Sequence, residues 1–249
     1  MTRLFVPPEC WKAAEFPLPE SEARHAVQVL RLEAGDRVQI FDGRGRVAEA
    51  EIVSARKRGA SVRVVGERHA GRPGPEVHLI MALIKGERFD WAVQKATELG
   101  AASIRPVTAE RSVVRLEGKD AGKKHSKWMQ TAVEAAKQCG HAVLPEILRP
   151  ATPREAFREA PVGARGIPAL HPEGVPLERF LAGGDGTVTF AIGPEGDWTP
   201  GEMEEAAAES FVPLDLGEHV LRSETAALYV LSVAAHQRLG GAGGLKEKL

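Results

Sequence analysis

The hydrophobic pattern changes period along the chain. Between residues 4 and 65, short apolar runs alternate with polar positions: Leu4-Phe5-Val6 ahead of Pro7-Pro8, Val38 and Ile40 facing inward, then Val47 to Val53 and Ala60 to Val65. A period of two marks half-buried strands, and Asp42-Gly43-Arg44-Gly45 supplies a turn between two of them. One stretch departs from this. From Glu20 or Ser21, the residues Ala26, Val27, Val29 and Leu30 recur at helical spacing and carry His25 and Arg31 on the same helix. The expectation is a small antiparallel sheet or barrel of three or four strands plus one helix. Gly71-Arg72-Pro73-Gly74-Pro75 is a short stiff linker. It divides the chain into 1–72 and 73–249.

From Val77 the rhythm becomes strand, then helix. Val77 to Ile84 reads as a buried strand, Gly86 to Leu99 as a helix closed by Gly100, Ser103 to Val107 as a strand, and Lys124 to Cys139 as a helix ended by Gly140. A shorter unit covers Pro153 to Ala160, and a strand from Gly166 to Leu170 leads into His171-Pro172-Glu173-Gly174. Two further units follow. The run Thr187 to Ile192 stops at Gly193-Pro194-Glu195-Gly196-Asp197, with Thr199 placed to cap the next helix. The run Phe211 to Leu216 stops at Gly217, and Ser223 can cap a helix from Glu224 to Leu239. Such alternation predicts a doubly wound α/β layer with parallel strands and a site at their carboxyl ends. Ala226 to Ala235 is apolar nearly all round, so that helix must be covered on more than one face. No internal repeat is present, and Gly240 to Gly244 reads as a frayed tail.

Composition narrows the class. With 249 residues and 43% hydrophobic content, the chain can build a packed core, and no apolar run reaches the roughly 18 residues of a membrane span. The N-terminus lacks a secretory h-region, so a cytoplasmic protein is expected. Cys10 and Cys139 stand alone, and the eight histidines show no ligand spacing, so neither a disulfide framework nor a metal is expected. The net charge of −1 lacks the basic footprint of a nucleic-acid protein. Its distribution softens that objection: residues 1–75 carry 13 Lys and Arg against 10 Asp and Glu, and 105–127 carry 7 against 3.

Familiar nucleotide signatures are missing. There is no GxxxxGK[ST], and the GxGxxA of Gly43, Gly45 and Ala48 lies between two strands and opens no helix, which makes it a hairpin turn. The glycine-bearing loops come late, after the runs at 166–170, 187–192 and 211–216. The blocks Gly193-Pro194-Glu195-Gly196 with Glu202, Leu216-Gly217, and Leu221-Arg222-Ser223-Glu224-Thr225-Ala226 together resemble the knotted SPOUT methyltransferases. More narrowly, with Lys85-Gly86, Gln94 to Gly100, and Glu134-Ala135-Ala136-Lys137-Gln138, they resemble the enzymes that methylate nitrogen 3 of a uridine in small-subunit ribosomal RNA.

That resemblance implies a knotted parallel-sheet domain after a small PUA-like β-barrel, a homodimer through the last helix, and no metal. It implies S-adenosylmethionine held by Leu170, His171, Ile192, Gly193, Pro194, Glu195, Gly196, Leu216, Gly217 and Leu221. Glycine loops suit this, because backbone groups can approach a flat adenine and a ribose without side-chain interference. Arg222, Glu195 and Gln138 are the catalytic candidates, and Arg3, His25, Arg31, Lys85, Arg111 and Arg115 the RNA-binding ones. Glu195 reads equally as an acceptor for loop amides, and Arg222 as an ion-pair partner of Glu195, Glu218 or Glu224. The partner implied is small-subunit ribosomal RNA or a ribosomal particle. Two positions depart from the family: His141 and His219 stand where arginine is expected, removing a permanent charge at each. Methylation of a ribose 2′-hydroxyl or of guanine, and a noncatalytic RNA-binding role, are the alternative readings.

Overall fold

The computed structural model describes residues 1–56, 59–72, 74–116, 118–170, 173–183 and 186–241. It forms two compact units: Met1–Arg72 with Val133–Leu144, and Pro73–Ala132 with Pro145–Leu249.

In the first unit, β1 (Arg3–Phe5), β2 (Glu15–Pro17), β3 (Arg37–Phe41), β4 (Arg46–Arg56) and β5 (Gly59–His69) form one sheet in the order β1-β3-β4-β5-β2. Two features differ from the expected antiparallel sheet of three or four strands. β1 runs parallel to β3, and β2 adds a fifth strand whose single buried residue, Phe16, leaves no alternation to read. Inward side chains close the core, among them Leu4, Val38, Ile40, Ala50, Ile52 and Val62. The expected helix is shorter: α1 (Glu20–Arg24) passes into a π-helical turn, His25–Val29, which ends with Arg31 at φ 56°.

The long helix α3 (Gly118–Cys139) contributes its last turns to this unit. Ala136 is fully buried with Phe41 and Val47. Lys137 reaches Glu22 at 3.0 Å, and their side chains are only 9% and 8% exposed. Glu134 adds a second contact to Lys137 at 3.2 Å.

In the second unit, seven strands run parallel: β6 (Val77–Ala82), β7 (Ser103–Val107), β8 (Glu146–Ile147), β9 (Ala164–Pro168), β10 (Val175–Pro176), β11 (Val188–Ile192) and β12 (Val212–Asp215), in the order β10-β12-β9-β11-β6-β7-β8. Both faces are covered, as period two requires. Leu79, Met81, Phe190 and Ile192 point to one face, where they pack with α2 (Arg88–Glu98), α3 and α7 (Ser223–Gly241) through Phe89, Trp128, Val230 and Leu231. Ile80, Ala82, Ile167 and Ala191 point to the other, where Phe157 of α4 (Pro153–Arg158) and Ala206 of α6 (Pro200–Ala208) meet them. This is the doubly wound arrangement.

Several boundaries move. β6 stops at Ala82, β9 runs over 164–168 where 166–170 was expected, and α3 starts at Gly118, well ahead of Lys124. The two-residue strands β8 and β10 and the short helix α5 (Leu177–Leu181) were not anticipated, being too brief to show a period. The tail from residue 242 lies outside the described residues.

One topological feature positions the site. β12 lies between β9 and β10, although β9 and β10 are consecutive in the chain. The connection after Pro168 therefore passes the carboxyl end of β12. The approach is close: a Cβ on Gly174 would lie 3.0 Å from the Asp215 backbone nitrogen, and one on Gly166 would lie 2.5 Å from Leu214 Cδ1.

Candidate active site

The carboxyl ends of β9, β11 and β12 surround a cavity of about 260 Å³, close to the lower end of the roughly 300–1,000 Å³ usual for small-molecule sites. Three loops build it. After β11, Gly193 passes so near the indole of Trp198 that a Cβ would come within 3.1 Å of its Nε1. The Asp197 amide donates to the Pro194 carbonyl at 3.0 Å and closes a turn. Thr199 then starts α6 with a capping box: Glu202 N–H donates to Thr199 Oγ1 at 3.3 Å, and Thr199 N–H to Glu202 Oε2 at 2.8 Å. The other Glu202 oxygen accepts the Glu110 amide at 2.8 Å. Glu202 thus serves the loop frame. After β12, Gly217 takes φ 112°, a left-handed conformation that favours glycine, and its amide donates to Asp215 Oδ1 at 2.8 Å.

Most of the expected cofactor residues meet in this cavity. Leu170, Ile192, Gly193, Pro194, Glu195, Leu216, Gly217 and Leu221 line it, as does Arg222. Gly196 is not in the lining; its open face is against Arg111, whose Cβ would be 3.3 Å from an added Cβ, and whose Nη1 donates to the Gly196 carbonyl at 2.8 Å. His171 lies outside the described residues. Gln138 is exposed on α3 in the other unit.

The charged groups are arranged unevenly. Arg88 Nη1 reaches Glu195 Oε1 at 3.2 Å and Glu224 Oε1 at 3.9 Å, so Glu195 is tied to a guanidinium from α2. Glu224 Oε2 is buried with no hydrogen-bond partner among the described residues. Arg222 is exposed at the cavity rim, and none of the ion pairs among the described residues includes it. Sequence reasoning missed Arg88, Asp197, Asp215 and Val220. Asp197 and Asp215 carried a signal, since each lies within two residues of a glycine in a loop that ends an apolar run. Arg88 carried none, because its link to Glu195 spans 107 residues.

The expected RNA-binding residues are dispersed. Arg3 donates to the Ala136 and His141 carbonyls at 2.8 and 3.2 Å and stacks 4.5 Å over the Phe41 ring; burial pushes its guanidinium below the usual range. His25 is half-buried, whereas Arg31, Lys85, Arg111 and Arg115 are exposed. Of the two family departures, His219 lines the cavity. Among the described residues, no three His, Cys, Asp or Glu side chains converge as metal ligands, and no helix is long and apolar enough to cross a membrane.

A family model for an RNA methyltransferase domain matches residues 72–235, and one for an RNA methyltransferase PUA domain matches 18–65. The ribosomal RNA small subunit methyltransferase E of Bacillus subtilis is 31% identical over 235 residues, spanning 91% of each chain. The chain belongs to the ribosomal RNA small subunit methyltransferase E family. A member of that family from Neisseria gonorrhoeae, solved with S-adenosyl methionine bound, has 30% identity and a TM-score of 0.86 over 96% of this chain and 98% of its own. A methyltransferase from Legionella pneumophila, also solved with bound S-adenosylmethionine, has 32% identity and a TM-score of 0.87 over 95% of this chain and 97% of its own. The fold class is accordingly a knotted parallel sheet with a PUA-like domain.

Proposed function

We propose that the protein methylates nitrogen 3 of a uridine in small-subunit ribosomal RNA, using S-adenosylmethionine. The observation that carries this reading is the glycine-lined cavity at the ends of β9, β11 and β12, with Arg222, unpaired among the described residues, at its rim. The cavity fits such a cofactor on its own terms. Gly217 has nothing within 4 Å of where a Cβ would stand, so its backbone is open to a ligand, and the apolar side chains Leu170 and Val220 remain 72% and 75% exposed beside it. Backbones of Leu170, Ile192, Gly193, Leu216 and Leu221 would hold the adenosine. When bound, the cofactor supplies a methyl group on a sulfonium, reactive enough that no protein nucleophile is required.

The protein's own task is positioning and charge. A uracil imide nitrogen holds its proton at neutral pH, so transfer is favoured by donors beside the adjacent carbonyl oxygens that stabilise the anion. Arg222 is placed to do this, since no carboxylate among the described residues pairs with it. Glu195, held by Arg88, lines the same cavity. Exposed Lys85, Arg31 and Arg115 would meet RNA phosphates, and Gln138 would belong to the RNA-facing surface. Arg3 and Arg111 would act there through the segments they fix. The PUA-like segment 1–72 would add RNA affinity, and the face of α7 that bears Tyr229, 44% exposed, would meet a second copy of the chain.

Isothermal titration with S-adenosylmethionine in a chelator-containing buffer tests the cofactor half. Saturable one-site binding, weakened when Gly193→Phe drives a side chain into the Trp198 indole, is expected. Unchanged binding by that variant would remove the cavity from the account.

A further inference from the structure

The loop after β11 contains a residue whose backbone and side chain are both unusual. Asp197 takes φ 59°, a region that non-glycine residues seldom enter, though aspartate tolerates it better than most. In that conformation its carboxylate accepts two backbone amides. Oδ1 accepts the Trp198 amide at 2.8 Å, and Oδ2 accepts the Leu170 amide at 3.2 Å. The second bond joins two different loops, the one after β11 and the one after β9.

Among the described residues, no other hydrogen bond outside the strands and helices holds Leu170. The Leu170 side chain is 72% exposed, so packing does not hold it in place. Asp197, by contrast, is held from outside. Arg111 Nη1 donates to the carbonyls on either side of it, Gly196 O at 2.8 Å and Trp198 O at 3.4 Å, and the Arg111 stem covers the face of Gly196. An arginine therefore braces the turn, the turn fixes an aspartate in a left-handed conformation, and the aspartate ties down the amide of a cavity-lining residue.

We infer that Asp197 is a positioning residue of the cofactor site, latching the chain after β9 to the loop after β11 so that Leu170 stands at the cavity wall. This rests on the reading of the cavity as the S-adenosylmethionine site. The latch is an anion accepting two backbone amides, a stronger arrangement than a neutral acceptor provides. It also assigns Arg111 the work of bracing that turn.

The test separates the latch from the turn. Asp197→Gly relaxes the left-handed backbone but removes both acceptors; Asp197→Asn tolerates the backbone and keeps one acceptor oxygen. Arg111→Met keeps the stem on Gly196 and removes the brace. Two readouts are needed: hydrogen exchange of the Leu170 amide in the cofactor-free protein, and the calorimetric affinity for S-adenosylmethionine. Asp197→Gly is expected to exchange the Leu170 amide about tenfold faster and to bind the cofactor about ten- to a hundredfold more weakly, the range for losing a hydrogen bond to a charged group. Asp197→Asn and Arg111→Met should fall between that variant and the parent. Unchanged exchange at Leu170, or faster exchange with parental affinity, would overturn the inference, as would unfolding of both Asp197 variants. Failure of the parent itself to bind S-adenosylmethionine would instead overturn the proposed function, and Leu170 exchange would still read the latch.

Discussion

Replacing Arg222 by alanine separates the chemistry of this site from its stability. Arg222 is exposed, makes no ion pair among the described residues, and directly precedes the first residue of α7. Its folding contribution is therefore that of a surface side chain, within about 0.5 kcal/mol. The sign leans toward stabilisation on removal, because a cation beside a helix N-terminus opposes the partial positive charge there by a few tenths of a kcal/mol. For a chain of this size, 0.5 kcal/mol shifts the melting temperature by about 1–2 °C. The transition state should suffer much more. Loss of one donor aimed at developing negative charge costs about tenfold to a thousandfold in rate, or roughly 1.4–4 kcal/mol. Single-turnover transfer of labelled methyl from S-adenosylmethionine to small-subunit particles measures the rate, and calorimetry on the same preparation measures cofactor affinity. The expected result is a rate loss of that size with affinity and melting temperature nearly unchanged, and partial recovery in Arg222→Lys, which restores charge without the planar fork. Methylation at the parental rate, or a melting temperature lowered by more than about 5 °C, would refute the assignment.

Three further outcomes follow from the packing. Lys137→Met should destabilise the first unit by about 3–5 kcal/mol, because it leaves Glu22 buried without its cation, whereas Lys137→Met with Glu22→Leu should recover most of that loss; protection of β3 and β4 amides against exchange reports it. Phe157→Ala should cost about 3–5 kcal/mol, since the ring is fully buried 5.5 Å from Trp198 and 5.1 Å from Phe211, and it should weaken cofactor binding by loosening the indole beneath Gly193. Light scattering at micromolar concentration should give the mass of a dimer, and Tyr229→Arg on α7 should reduce it to that of a monomer.

The parts of the fold with long, strongly periodic segments were legible in the sequence. β6 and β11 are buried on both faces and read as apolar runs interrupted only by His78 and Thr189, and Thr199 announced the start of α6 as an N-cap, which the structure completes as a capping box with Glu202. Short elements were not, because Val175–Pro176 and Glu146–Ile147 owe their strand character to neighbours supplied by distant chain. The first unit shows the same limit. Its helix gave way to a π-helical turn, and the parallel pairing of β1 with β3 depends on a return path that no local pattern encodes. At the site, the glycine loops were legible as polar breaks after apolar runs, whereas the block around Arg222 was legible only through the family resemblance. The tie from Arg88 to Glu195 and the bond from Leu170 to Asp197 could not, since both join residues far apart in sequence. Arg3 looked available for RNA, yet its guanidinium is spent on the carbonyls of Ala136 and His141.

The methylated atom distinguishes the proposed activity from its alternatives. Small-subunit ribosomal RNA should be isolated from cells with and without this protein, digested to nucleosides, and compared by mass spectrometry against synthetic standards. A single 3-methyluridine should disappear in its absence and return when the parent protein, but not Arg222→Ala, is supplied. Persistence of 3-methyluridine, or loss instead of a 2′-O-methylated nucleoside or a methylguanosine, would contradict that activity.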